Sequence, residues 1–240
     1  MESFCLLPGR EDIFVNIRIF ALNHQFAIRT NLCYSLEVMR HRIFLAINLP
    51  PHIKDKLEGY QIETAKAFNG VSPKEVVRWV PKDNIHITLV FMGSVQEQAL
   101  PQILKTTEEI VEEAAPFVVQ IEGTVYGPPG KMPPRMVWLR VKKTDPLLEI
   151  QGQLSDALLA PSQEGGRKPR RRPYSPHITL GRIKKWEFKK IEPEDRPDIK
   201  KDLYSDFQVN SIEVMESKLK RSGAEYTVLQ SVPLSGTKKY

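Results

Sequence analysis

Two short strings carry the chemistry of this chain: "IHITLVF" at residues 85–91 and "PHITLGR" at residues 176–182. Each sets a histidine at the head of an apolar run with a threonine two positions on, His86 with Thr88 and His177 with Thr179. The chain holds only five histidines, so two of them in one four-letter setting is more than composition supplies. On a strand, residues i and i+2 project from the same face. Each pair therefore presents an imidazole beside a hydroxyl, while Ile87, Leu89, Ile178 and Leu180 turn the other way, into a core. Set across one cleft, the two imidazoles form an acid–base pair. A neutral ring takes a proton from an attacking oxygen, and a cationic ring gives one to the leaving oxygen. The threonine hydroxyls can hydrogen-bond the non-bridging oxygens of a phosphoryl group. No metal is needed for that chemistry. A lone strand histidine is ordinarily a core or surface residue; the matched pair is what points to function.

Two such strands must be held face to face, and the flanking sequence supplies a scaffold twice. "RIFLAINL" (42–49) reads as a strand, ended by Pro50 and Pro51, where a helix can start. Residues 52–68 read as that helix, with Ile53, Leu57 and Ala65 apolar. "VVRWV" then leads into the first histidine strand. Residues 96–114 form a second helix, with Leu100, Ile103, Leu104, Thr107, Ile110, Val111 and Ala114 on one face. "FVVQIEGTVYG" follows as a strand, closed by the turn-rich "PPGKMPP". The second half runs "RMVWLRV" as strand, "DPLLEIQGQLSDALLA" as helix, a polar loop, and the second histidine strand. "FQVNSIEVMESKL" and "EYTVLQSVPL" add two more strands. Strand, helix and histidine strand thus recur in one order. The expected fold is α+β, with two pseudo-symmetric lobes, each a small, mainly antiparallel sheet backed by helices, facing a central cleft.

Composition bounds the rest. A charge of +6 and a pI near 9.2 favour anionic partners, nucleic acid among them. No apolar run approaches the roughly 20 residues that span a bilayer, so no membrane partner is expected. Cys5 and Cys33 are the only cysteines, which rules out a disulfide framework or a zinc cluster and fits a reducing, cytoplasmic setting. No Gly-rich phosphate loop, nucleophile elbow or metal-ligand spacing occurs, so neither a metal nor another cofactor is expected. Residues 1–38 differ in composition: they hold both cysteines, no lysine, and three arginines against four acids. Met39 is followed at once by "RHRIFLAINLPP". Residues 1–38 are therefore expected to be an extension outside the core domain of residues 39–240. The alternative is a strand-forming arm, "IFVNIRIFAL", packed on that domain. "GRKPRRRP" (166–173) places five cations in residues 167–172, next to the second motif, where they either hold an RNA backbone or form a solvated loop.

The paired His-x-Thr-apolar motifs resemble the defining mark of the two-histidine (2H) phosphoesterases. Within that superfamily, "RIFLAINLP", "VRWVPKDNIHITLVFMG", "YSPHITLGR" and "VNSIEVMESKLKRSGAEYTVLQSVPL" look like the RNA 2′,3′-cyclic phosphodiesterases, also known as bacterial 2′-5′ RNA ligases. The resemblance runs from Met39 to about Leu234. It implies catalysis by His86 as proton donor and His177 as proton acceptor, with Thr88 and Thr179 beside them. It also implies hydrolysis of RNA 2′,3′-cyclic phosphate ends to 2′-phosphomonoesters by a monomer without a cofactor, tRNA-derived ends being one source. Reverse 2′-5′ ligation would be a side activity. Five residues after each histidine stand Phe91 and Arg182, which in the family can meet the nucleobase and the phosphate. Strict alternation puts both on the opposite strand face from the histidine. Only a bulge, or a strand ending at Gly181, would turn them into the cleft. Trp79, Tyr126 and Tyr174 are further stacking surfaces with structural roles as their alternatives. Two other functions stay open from sequence: another 2H phosphodiesterase, acting on a small cyclic nucleotide or an RNA 3′ end, and a non-catalytic RNA-binding module.

Overall fold

The computed structural model describes residues 3–5, 15–22, 25–31, 39–71, 75–159, 173–221 and 223–237. They divide into two compact units, residues 1–39 and 40–240. The first is an antiparallel sheet of β1 (Ser3–Cys5), β2 (Val15–Leu22) and β3 (Gln25–Asn31) in the order β1-β2-β3. The strand-like "IFVNIRIFAL" contributes β2.

The second unit begins with β4 (Arg40–Asn48), whose residues 43–47 are buried in succession, as in a strand covered on both faces. Helix α1 (Pro51–Lys66) starts on Pro51 and buries Ile53, Leu57, Tyr60, Gln61 and Thr64 along one stripe. Strands β5 (Val77–Trp79) and β6 (His86–Gln96) follow, then α2 (Leu100–Glu112), which buries Ile103, Thr107 and Val111. After β7 (Phe117–Gly127) and β8 (Met136–Val141), α3 (Asp145–Leu158) buries Leu147, Ile150 and Leu154. The second histidine strand, β9 (His177–Ile183), leads into the short helix α4 (Lys185–Lys189). Strands β10 (Asp202–Val209), β11 (Ser211–Lys220) and β12 (Gly223–Pro233) complete the unit. No described helix is long and apolar enough to cross a membrane.

Sequence reading expected a separate small sheet in each lobe. The described strands of the second unit instead form one nine-stranded antiparallel sheet, β10-β7-β8-β9-β6-β4-β11-β12, with β5 added on β9. The two lobes are its halves. They join between β6 and β9 through the pair Ile87–Ile178, the residues that follow the two histidines. "FQVNSIEVMESKL" is also two strands rather than one: Asn210 separates β10 in one half from β11 in the other. Six sheet steps separate those strands, about 29 Å across a flat sheet at ~4.8 Å per strand. Two residues of chain span no more than about 7 Å. The sheet must therefore curl until its halves nearly meet.

The helices tie the halves together. Gln61 Nε2, on α1 after β4, donates to Leu180 O of β9 at 2.8 Å and to Val80 O at 2.9 Å. Gln151 Nε2, on α3 after β8, donates to Leu89 O of β6 at 3.4 Å. Each helix thus reaches from its own lobe to the histidine strand of the other.

Candidate active site

The two histidine strands are built alike. Ile87 and Ile178 are fully buried, and His86, Thr88, His177 and Thr179 are half-buried on the opposite face. Since Ile87 pairs with Ile178 antiparallel, the register sets His86 across from Thr179 and Thr88 across from His177. All four line one cavity of roughly 660 Å³.

Each imidazole is oriented by a main-chain oxygen two residues upstream. His86 Nδ1 lies 2.8 Å from Asn84 O, and His177 Nδ1 lies 2.7 Å from Ser175 O. A carbonyl only accepts, so both rings carry their proton on Nδ1 and present Nε2 to the cavity. Thr88 Oγ1 donates to His86 Nε2 at 3.0 Å, whereas Thr179 Oγ1 faces the Met136 sulfur at 4.0 Å. Tyr174 donates its hydroxyl to Thr88 O at 3.0 Å and so braces the first motif from the segment before the second. Burial raises the Tyr174 hydroxyl far above its ordinary range, so that proton stays in place.

Electrostatics push both imidazoles the same way. Burial lowers His86 below the ordinary histidine value; the Lys54 and Arg182 cations and the His177 ring lower it further, against the opposing Asn84 bond. Burial lowers His177 as well, opposed by the Ser175 bond. Among the described residues the cavity lining includes the cations Arg42, Arg78, Arg182 and Lys220 and no carboxylate, which makes it attractive to an anion.

Phe91 and Arg182 lie on the cavity side with the histidines, and the reason is a pair of bulges. Between β4 and β6 the register passes from Ala46–Thr88 to Leu45–Val90, leaving Leu89 extra. Between β8 and β9 it passes from Trp138–Thr179 to Val137–Gly181, leaving Leu180 extra. One inserted residue reverses the alternation, so Leu89 and Val90 are both buried, as are Leu180 and Gly181. Phe91 and Arg182 then return to the side of the histidines and line the cavity, with the Arg42 guanidinium 5.8 Å from the Phe91 ring centroid. The carbonyls of the two extra leucines are the ones that Gln61 and Gln151 hold.

The aromatic neighbours of the imidazoles were not anticipated from sequence. Trp138 stacks on His177 with ring centroids 3.7 Å apart and an interplanar angle of 23°. A Cβ on Gly127 would collide with that indole, so glycine there leaves room for it. His86 meets Phe44 at 5.0 Å and Tyr226 edge-on at 5.2 Å. These rings come from β8, β4 and β12, remote from either motif in sequence. Of the anticipated aromatics, Tyr126 bonds Pro197 O and packs on Phe188, Trp79 packs on Phe68, and Tyr174 holds Thr88. The cationic residues 167–172 lie outside the described residues.

The chain has relatives among known proteins. Residues 49–221 match the 2′-5′ RNA ligase superfamily. The chain is 31% identical to a Thermotoga maritima protein named RNA 2′,3′-cyclic phosphodiesterase, over 81% of this chain and 96% of that one. It is also 31% identical to a Methanocaldococcus jannaschii protein of the same name, over 79% and 98%. Among solved structures, the Thermus thermophilus protein TT0787 superposes with a TM-score of 0.66 at 28% identity, over 82% of this chain and all of that one.

Proposed function

The chain belongs to the 2′-5′ RNA ligase superfamily, and from that membership we propose that it hydrolyses RNA 2′,3′-cyclic phosphate ends to 2′-phosphomonoesters. The observation that carries the reading is the pair of imidazoles with matched tautomers, each presenting Nε2 to one cation-lined cavity. The cyclic phosphate sits between them. His177 Nε2 takes a proton from the attacking water as its oxygen bonds to phosphorus. The P–O3′ bond breaks, and the Nε2–H of protonated His86 supplies the proton that O3′ needs. Thr88 and Thr179 hydroxyls donate to the non-bridging oxygens, and Arg182 offsets their charge. Phe91 offers its face to the terminal base.

With an RNA 5′-hydroxyl in place of water as the attacking group, the same proton transfers in the same direction give a 2′-5′ linkage without a nucleotide cofactor. The enzyme would work as a cytoplasmic monomer, with tRNA-derived ends among its substrates. Product analysis on an RNA ending in a 2′,3′-cyclic phosphate tests the proposal. A 2′-phosphate product is expected, at a rate unchanged by excess EDTA, because acid and base are both imidazoles. A 3′-phosphate product, or activity abolished by the chelator and restored by a divalent ion, would refute the mechanism.

A further inference from the structure

Just beyond the cavity stands a surface that neither histidine motif explains. Arg78 of β5, Arg182 of β9 and Met136 of β8 lie side by side in register, and all three line the cavity. One step along, Ile183 N–H donates to the carbonyl of exposed Arg135 at 2.8 Å, and two residues later α4 begins. This short helix buries Phe188 completely and leaves Trp186 74% exposed. Lys189 Nζ stands 5.4 Å from the Trp186 ring centroid, and Lys185 is also exposed. The neighbouring lysines Lys184 and Lys190 are paired with Glu75 and Glu187. A tryptophan left in water while its helix is anchored by another aromatic is a ring available for stacking. Flanking cations make it attractive to a polyanion that also carries flat apolar groups. Single-stranded nucleic acid is that ligand: bases stack on exposed aromatic rings while cations follow the backbone. Four chain steps separate Arg182 from Trp186, at most about 14 Å, which keeps the ring within a few nucleotides of the cavity.

We propose that an RNA whose cyclic-phosphate end occupies the cavity continues past Arg182 and stacks an upstream base on Trp186, its backbone held by Arg135, Lys185 and Lys189. This rests on the phosphodiesterase reading and extends it from the terminal nucleotide to an upstream subsite. The test compares the unaltered chain with Trp186→Ala and Trp186→Phe. Substrates are a mononucleoside 2′,3′-cyclic phosphate and a short oligoribonucleotide with the same end; equilibrium binding of the oligonucleotide is measured by fluorescence anisotropy. Trp186→Ala should weaken oligonucleotide binding roughly 5- to 100-fold, the range expected for one lost base–aromatic stack, and raise its KM to match. Trp186→Phe should keep most of the affinity, and mononucleotide turnover should not change in either variant. Replacing Lys185 and Lys189 with Ala should flatten the log–log salt dependence by about 0.7 per lost phosphate contact. Unchanged oligonucleotide binding in Trp186→Ala overturns the proposal and leaves the ring to a protein or membrane partner. If the unaltered chain turns over neither substrate, the phosphodiesterase reading fails instead, and the anisotropy data still decide the role of Trp186.

Discussion

Two main-chain carbonyls, Asn84 O and Ser175 O, decide which nitrogen each imidazole offers, and burial decides how readily it holds a proton. Both rings lie below the ordinary histidine value of 6.5, and the sign of that shift sets the expected pH profile. A depressed donor loses its proton at lower pH than a solvated histidine, so the alkaline limb falls early. A depressed acceptor stays neutral to lower pH, so the acid limb extends. The kcat/KM bell, which reports the free enzyme, should therefore peak on the acid side of 6.5. A bound phosphate anion favours the imidazolium, so the kcat bell should lie at higher pH than the kcat/KM bell. Identical profiles would mean that the phosphate does not sit against the imidazoles. His86→Ala and His177→Ala should each cost on the order of 10²-fold or more, with the double variant little worse, because a donor and an acceptor act as a unit. Residual activity in His86→Ala should lose the alkaline limb and that in His177→Ala the acid limb; the opposite pattern would exchange the two roles. Thr88→Ala and Thr179→Ala should be milder, since proton transfer survives. Near-normal turnover by either histidine variant, in a folded protein, would reduce that motif to a core strand.

What places Phe91 and Arg182 beside the histidines is a property of strands, not of those side chains. Each histidine strand carries an extra residue just after its His-x-Thr pair, and the carbonyl of that residue is held by a glutamine from the other lobe's helix. Gln61 is itself buried and bonds both Leu180 O and Val80 O, so Gln61→Leu takes one donor from each and leaves Leu180 O only the Val80 N–H. Urea unfolding should show a loss on the order of 1–3 kcal/mol, and kcat/KM should fall as the bulge relaxes and Arg182 turns from the cavity. A stability loss with unchanged kcat/KM would show that the bulge holds without the glutamine. The histidine–threonine pairs and most elements were legible because their signal is local: the apolar face of α2 recurs every three or four residues, and each HITL string states its own alternation. The bulges were not legible, because an extra residue exists only relative to a partner strand. The break at Asn210 was hidden for a similar reason, since β10 and β11 share one strand-like composition and differ only in what they pair with. Trp138, Phe44 and Tyr226 reach the imidazoles from three other strands. The recurring element order could have drawn attention to "MVWLRV" as the strand before the second histidine, but not to the stacking of its indole on His177.

At the scale of the whole chain, the separation into two units carries a prediction about residues 1–38. Strand β4 is the first element of the second unit and an interior strand of its sheet, with β6 on one side and β11 on the other. Its ladder is filled entirely from residues 40–240. The helices that brace the bulges, the carbonyls that orient the imidazoles and the residues lining the cavity all come from that span too. The three N-terminal strands likewise pair with one another in a sheet of their own. We therefore propose that residues 1–38 are an accessory to the domain rather than part of its core. A chain beginning at Met39 should unfold cooperatively at the same Tm as the full chain and match its kcat/KM on a mononucleoside cyclic phosphate. Calorimetry beside initial-rate kinetics checks both. A Tm several degrees lower would mean that the first 38 residues cover apolar surface of the domain. An unchanged Tm with altered kcat/KM would place them near the substrate. Either result would make the N-terminal sheet part of the working enzyme.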